Sequence, residues 1–476
     1  MLQPDPGGPR DRRAVCEVVD PDRLTGPGFP DDRPLCLLLT APASFPVPPG
    51  AAVRPVLPAH VPPEYRVKNL YEPSAADGSD RVRGALLALD GEFGFGRVVF
   101  PSHGGFGFRA VQAKRAGLAF AGTTLVVRFD GAGQLDREAG QRWAGTLDEL
   151  ERDFLERFAF ENADEVIDPA GAAAALGWRW TAPPPEPPSA TALVTIGIAH
   201  YNLGAHLPAT LASVAAQTYP ALDVVVIDDG STDPASRDVF DRMEREYPRF
   251  RFVRQANAGI GATRNRCLEF ARGEFFLPMD ADNVARPEMV ERFVTALRRN
   301  PQYAAMSCYF LAFDERHGEP AGDYLFALRP VGGPHAMAAI RNVYGDANSI
   351  FRTDTFRAAG GYGTDRGTSC EDWEAFVKLV QAGGRIGVVP DHLFYYRHRA
   401  DGFSRVTNWY ANHQRVLRQF ARADHLPPGE AAVLWAALLG FQQEAARLAD
   451  RQRAWRYRVA DGIAGALRWL IPGRAS

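Results

Sequence analysis

Lysine is nearly absent: Lys68, Lys114 and Lys378 are the only three among 54 basic residues. The arginines are scattered rather than patched, a bias that reads as coding habit, and the formal net charge is −3. That balance excludes a general attraction to nucleic acid or to an acidic membrane. Cysteine is also scarce. The five residues Cys16, Cys36, Cys267, Cys308 and Cys370 are odd in number and show no CxxC or metal-like spacing, which argues against a disulfide framework or a zinc site and for reduced, cytosolic thiols. The opening MLQPDPGGPRDRR has no apolar core, so no secretory leader is expected. No apolar run approaches the ~20 residues that span a bilayer; the nearest, Ala431–Gly440, reads as a buried helix. There is no internal repeat. What remains is a chain of 476 residues, 46% hydrophobic and 23% charged, which is a globular composition and enough length for two or three domains.

Residues 1–30 are rich in Pro, Gly and charge and are expected to be disordered. From 31 to 180 strand-like runs (CLLLTA, GRVVFP, TTLVVRFDG) alternate with helical spacing at Arg81–Leu89, Arg109–Leu118 and Leu147–Phe158, the pattern of a parallel α/β sheet. TAPPPEPPSA at 181–190 is a stiff linker. A second α/β unit spans 191–405, and helical periodicity fills 406–476, over Val406–Ala423, Pro428–Leu448 and Arg451–Ile471.

Chemistry-bearing motifs gather in the second unit. AHYN ends its first strand, where Tyr201 either stacks on a base or forms a turn. VVVIDDGSTD places Asp228 and Asp229 at a strand end, where ligands bind in open α/β sheets; the alternative is an Asp-Gly turn with a helix cap. In NAGIGATRNR, Arg264 stands near a helix start, either meeting a base carbonyl or phosphate or lying on the surface. FFLPMDADN presents Asp280 and Asp282 one residue apart at a sheet edge, which suits Mg²⁺ or Mn²⁺. CEDWE supplies Glu371 and Asp372 as general-base candidates, or as the acidic first turn of a helix. FYYRHRADGFSR offers His398 between Arg397 and Arg399, as a metal ligand or a surface histidine.

The order of these blocks resembles the family 2 inverting glycosyltransferases of the GT-A fold over Leu193–Arg405. The resemblance implies that Tyr201, Asp229 and Arg264 contact the nucleotide base, Asp280 lies near the ribose, Asp282 binds the metal, Asp372 of the Glu371–Asp372 pair is the base, and His398 sits near metal and diphosphate. It implies a nucleotide-sugar donor, UDP-linked, a Mn²⁺ or Mg²⁺ cofactor and a glycan or lipid-linked acceptor. The chain departs from the family pattern at Asn283, usually an Asp, and at His200, usually Thr or Ser. More weakly, Leu35–Trp180 is similar to the N-terminal half of family 4 glycosyltransferases of the GT-B fold, through FPSHGGFGFRAVQAKRAGLAFAGTTLVV and LDELERDFLERFAFENADEVIDPA. No donor-binding GT-B half follows, and Asp130-Gly131 replaces the usual His-Gly. This unit is therefore expected to bind acceptor around His103–Gly107 or to be structural.

The expected fold class is α/β: a Rossmann-like α/β domain, then a GT-A domain, then a C-terminal helical extension. A nucleotidyltransferase and a non-catalytic glycan-binding scaffold are the competing classes, although the Gly-rich nucleotide loop of the first is missing where AHYNLGAHL stands. The expected location is cytoplasmic, with a candidate peripheral contact at the inner face of the membrane through RYRVADGIAGALRWLIPGR.

Overall fold

The computed structural model describes residues 14–19, 35–39, 52–56, 61–71, 74–142, 144–183, 191–314, 316, 320 and 322–420. Its strands form two sheets. The first is built from β1 (Ala14–Val19), β2 (Leu35–Leu39), β3 (Ala52–Pro55), β4 (Phe95–Pro101), β5 (Thr124–Arg128) and β6 (Glu165–Ile167), in the order β3-β2-β1-β4-β5-β6. Every pairing is parallel. This is the Rossmann order, whose ligand crevice lies where the order reverses, beyond β1 and β4. Helices α1 (Ala76–Phe93), α2 (Phe108–Arg115), α3 (Gly133–Ala139) and α4 (Leu147–Asn162) complete the unit. Thr146 caps helix α4, its side chain accepting from the Glu149 N–H at 3.2 Å, and the Glu149 carboxylate accepts from the Gly145 N–H at 2.7 Å.

Ala14–Val19 falls inside the stretch read as disordered, yet it is a central strand of this sheet. The short apolar run AVCEVV is flanked by Pro, Gly and charge, and the flanking composition concealed it.

In the crevice beyond β4, the loop from Ser102 to Gly107 turns on the backbone of Gly104 and Gly105. The Gly104 and Gly133 N–H groups donate to the fully buried Glu156 carboxylate at 2.7 and 2.9 Å. The chain's own carboxylate thus takes the free N–H groups of the loops that follow β4 and β5. Burial pushes the Glu156 carboxyl up to about 7 against the two N–H bonds that lower it. Folding therefore favours the protonated form. The contribution is complete below the unfolded value near 4.5 and is lost as pH rises through about 7. Chemical denaturation between pH 5 and 8 is expected to show a pH-dependent loss of up to about 3 kcal/mol that Glu156→Gln flattens.

The second sheet follows the order β11-β15-β12-β14-β10-β7-β8-β9, with β13 added to β12. Its strands are β7 (Val194–His200), β8 (Leu222–Asp228), β9 (Arg251–Arg254), β10 (Phe275–Asp280), β11 (Val284–Ala285), β12 (Ala305–Asp314), β13 (Phe326–Leu328), β14 (Ile350–Arg352) and β15 (Ile386–His398). β10, β7, β8 and β9 pair in parallel, so their C-terminal ends meet at one edge. The helices are α5 (Leu207–Ala215), α6 (Pro234–Glu246), α7 (Ile260–Phe270), α8 (Met289–Arg299), α9 (Thr353–Ala358), α10 (Glu371–Gln381), α11 (Phe403–Val406) and α12 (Trp409–Phe420). Helix α12 lies within the expected Val406–Ala423 helix; the helices and membrane-surface segment expected beyond it are outside the described residues. Among the described residues no helix is long and apolar enough to cross a membrane.

The two units meet directly. Asn69 bridges Ala327 of β13, Arg83 donates to the Pro390 carbonyl at 2.5 Å, and Glu64 pairs with Arg286 at 2.5 Å. Phe108, Leu150 and Leu155 of the first unit share an apolar cluster with Met337, Trp373 and Phe376 of the second.

Candidate active site

The edge where β7, β8 and β10 end carries three turns. His200 is buried at the end of β7, with Nδ1 2.9 Å from Asp228 Oδ1 and Nε2 3.3 Å from Ser236 Oγ. Burial alone would raise the Asp228 carboxyl, but the bonds from His200 and Ser231 outweigh it and hold it below the usual range. The unusual histidine therefore ties the β7 and β8 turns together. Tyr201 follows it and is 43% exposed, open to a stacking partner. The Asn202 side chain accepts from the Thr232 and Asp233 N–H groups at 2.9 and 3.0 Å.

Asp229 is buried and already engaged. It accepts from the Ala258 and Gly259 N–H groups, each at 2.8 Å, and from Gln255 Nε2 at 2.8 Å. These bonds shape the loop that leads into α7. Gly230 allows this close approach: at φ +69 a Cβ there would lie 2.8 Å from the Asn257 nitrogen.

Arg264, in the second turn of α7, is neither on the surface nor open to a ligand. It is buried, with one guanidinium nitrogen on Glu371 at 2.5 Å and another on Asp280. Around it stand Asp280, Asp346, Glu371 and Asp372, and Asp282 lies near Asp280. Burial, then the charge of Asp280, raises the Asp282 carboxyl to about 6. Burial, then Glu371, raises Asp372 to about 6. Burial, then Asp280 and Asp372, raises Asp346 well above the carboxylate range. Asp346 had no motif to mark it in the sequence. It accepts from Asn348 N and Nδ2 at 3.0 and 2.6 Å, and Asn348 Oδ1 accepts from the Asp280 N–H at 2.9 Å.

The Glu371–Asp372 pair divides its roles. Glu371 is buried against Arg264, while Asp372 is partly exposed at the first turn of α10. Asn283 is fully buried; its Oδ1 accepts from the Arg397 N–H at 3.0 Å, a bond a neutral amide makes without burying another charge. Asp282 meets Arg399 at 3.2 Å, whereas the ring of His398 packs edge-on against Phe326 at 5.5 Å. Arg399, the first residue after β15, thus reaches Asp282 directly, while His398 ends the strand beside Phe326.

Among the described residues no three His, Cys, Asp or Glu side chains group as a site for a metal held wholly by protein. The crowded carboxylates do fit a hard divalent cation that takes one or two protein ligands and the rest from diphosphate and water.

Residues 195–357 match the model of glycosyl transferase family 2. That segment is similar to the glycosyl transferase family 2 domain. Its mixed sheet, with the site at the ends of the parallel strands, is the α/β architecture the sequence led us to expect. Among curated proteins, the uncharacterized glycosyltransferase YibD of Escherichia coli is 36% identical over 107 residues, which are 22% of this chain and 31% of YibD. The glucosyl-dolichyl phosphate glucuronosyltransferase of Haloferax volcanii is 28% identical over 228 residues, 44% of this chain and 71% of that protein. The chain spans about a third of the length of the first curated relatives it matches. Among solved structures, mannosyltransferase PcManGT of Pyrobaculum calidifontis, in complex with GDP-Man and Mn²⁺, has a TM-score of 0.43 at 24% identity, over 62% of this chain and 86% of that one.

Proposed function

We propose that the chain is a metal-dependent inverting glycosyltransferase that moves a sugar from a nucleotide-diphospho-sugar, UDP-linked, to a hydroxyl of a glycan or lipid-linked acceptor, in the cytoplasm. One observation carries this reading: Arg264 holds Glu371 in place, and burial together with the Glu371 charge leaves Asp372 beside it as a partly exposed carboxylate with raised proton affinity. A base tuned toward neutral pH is what activation of a hydroxyl calls for.

In this reading Tyr201 stacks on the base of the donor, and Asp229 and Gly230 shape the loop beside it. Asp280 faces the ribose. Asp282 would hold a bound Mn²⁺ or Mg²⁺, which supplies positive charge to the leaving diphosphate. Asp372 takes the proton from the acceptor hydroxyl as its oxygen bonds to the anomeric carbon, and the bond from that carbon to the diphosphate oxygen breaks. One displacement inverts the centre, so an α-linked donor yields a β-linkage. Arg264 fixes Asp280 and Glu371 in place and so sets the spacing between donor and base. The first α/β unit supplies structure or acceptor contacts rather than a second donor site, a reading supported by Glu156 in its own crevice.

The test is nucleoside diphosphate release from a panel of UDP-, GDP- and dTDP-sugars, with and without Mn²⁺. Metal-dependent release from one of them is expected, and Asp282→Ala is expected to abolish it. Pyrophosphate release would replace this reading with nucleotidyl transfer, and failure to bind any donor would replace it with a scaffold.

A further inference from the structure

The segment between β13 and β14 enters the site from the side of the first α/β unit. Glu151 of α4 is 2% exposed, and its carboxylate meets Arg341 at 2.8 Å. The same carboxylate accepts from Ser74 Oγ at 3.0 Å and the Ala75 N–H at 3.1 Å. Arg341 lies over the ring of Tyr71, 5.7 Å from its centroid, and the Tyr71 oxygen accepts from the Asn342 N–H at 3.3 Å. The Asn342 side chain then closes the next turn, accepting from the Tyr344 and Gly345 N–H groups at 3.1 and 3.2 Å, directly before Asp346. On the other side, the short 3₁₀ helix His335–Ala339 accepts the Trp373 indole N–H at the Ala338 carbonyl, 2.7 Å away. Trp373 is the residue after Asp372.

We infer that the first α/β unit is a positioning element for the base: through the Glu151–Arg341 ion pair and Tyr71 it holds residues 335–346, and through them the Asp372–Trp373 turn and Asp346. This rests on the proposed function for the identity of the base, but not for the clamp. The pair is buried on the Glu151 side, so neutralising Glu151 leaves Arg341 without its carboxylate and releases the segment. Among the described residues, the ion pair and side-chain hydrogen bonds of Glu151, Arg341 and Tyr71 go to one another, to Ser74, Ala75 and Asn342, and not to the donor turns or Asp282. Their loss therefore acts on turnover rather than on donor affinity.

The experiment pairs hydrogen exchange with kinetics on the full chain. In Glu151→Gln and Arg341→Met, amides of 336–345 are expected to exchange about tenfold faster or more, while β7 to β10 keep their protection. With whichever donor the native chain hydrolyses, kcat is expected to fall about tenfold with donor KM within about twofold, and Arg341→Lys to recover part of the loss. Unchanged exchange over 336–345 in both variants overturns the clamp. So does a kcat equal to the native value, or a joint loss of kcat, donor KM and protection throughout the second sheet, which marks general destabilisation. If the native chain releases nucleoside diphosphate from no donor, the proposed function falls, and hydrogen exchange alone decides the clamp.

Discussion

Asp372→Asn is expected to lower kcat for sugar transfer or donor hydrolysis by about 10²- to 10⁴-fold, the range that a positioned acid–base group contributes. Donor affinity is expected to stay within about twofold, since the change removes an interaction made only as the proton moves. The substitution is sterically mild. The Trp373 N–H donates to Asp372 Oδ1 at 2.7 Å, and an asparagine carbonyl accepts the same bond. It also removes one negative charge from a group that already contains Asp280, Asp346 and Glu371. The fold should therefore hold, and should gain stability above pH 6. Burial and Glu371 raise the Asp372 carboxyl to about 6, so its contribution is complete below its unfolded value and is lost as pH rises through about 6. The native enzyme should gain activity as pH rises through about 6, as its base deprotonates, and the variant should lose that limb of the profile. Steady-state kinetics from pH 5 to 8, with donor binding measured separately, checks both points. Near-native turnover in the variant would reassign the base.

Much of this site was legible because its parts are local. Each of β7, β8 and β10 is an apolar run closed by a turn rich in Asp, Asn or Gly, and the structure puts those turns at one edge with boundaries shifted by a residue or so. The partners of Arg264 were not legible. Its two carboxylates stand 16 and 107 residues away, and only the folded sheet makes them neighbours of one guanidinium. Asp346 was invisible for a related reason: it lies in a segment without motif or period, and its importance comes from the charges that surround it. Asn283 and His200 read as departures from a pattern, but burial explains them. Asn283 occupies a fully buried position where a further charge would be costly, and His200 joins two turns through its two ring nitrogens. The contact of Arg399 with Asp282 was not legible either: the motif drew attention to the imidazole of His398, and the arginine just beyond β15 meets the carboxylate 117 residues before it only in the folded chain.

Arg264→Met should be the most damaging single change to the fold. Arg264 is the buried cation to which both Asp280 and Glu371 are bonded, and both carboxylates raise its proton affinity despite burial that opposes it. Removing one member of a buried ion pair costs about 3–5 kcal/mol, because the partner keeps its desolvation penalty without its compensation. Here two partners lose it at once, and Glu371 already has one oxygen buried without a hydrogen bond. Lysine should not substitute: a single ammonium on a flexible stem does not span two carboxylates as the planar guanidinium does. The variant should also raise the proton affinity of Asp372, since the Arg264 charge is one of the two influences that lower it, beside the Trp373 N–H, and so move the rising limb of activity to higher pH. Adding Glu371→Gln to Arg264→Met should recover part of the stability, because the amide removes one of the stranded charges, but not the turnover, because Asp280 still lacks its anchor. Denaturation of the single and double variants measures the first effect, and the pH profile of any residual activity measures the second. Native-like stability in Arg264→Met would show that the carboxylates tolerate one another without it, and that the order of the site comes from the backbone turns alone.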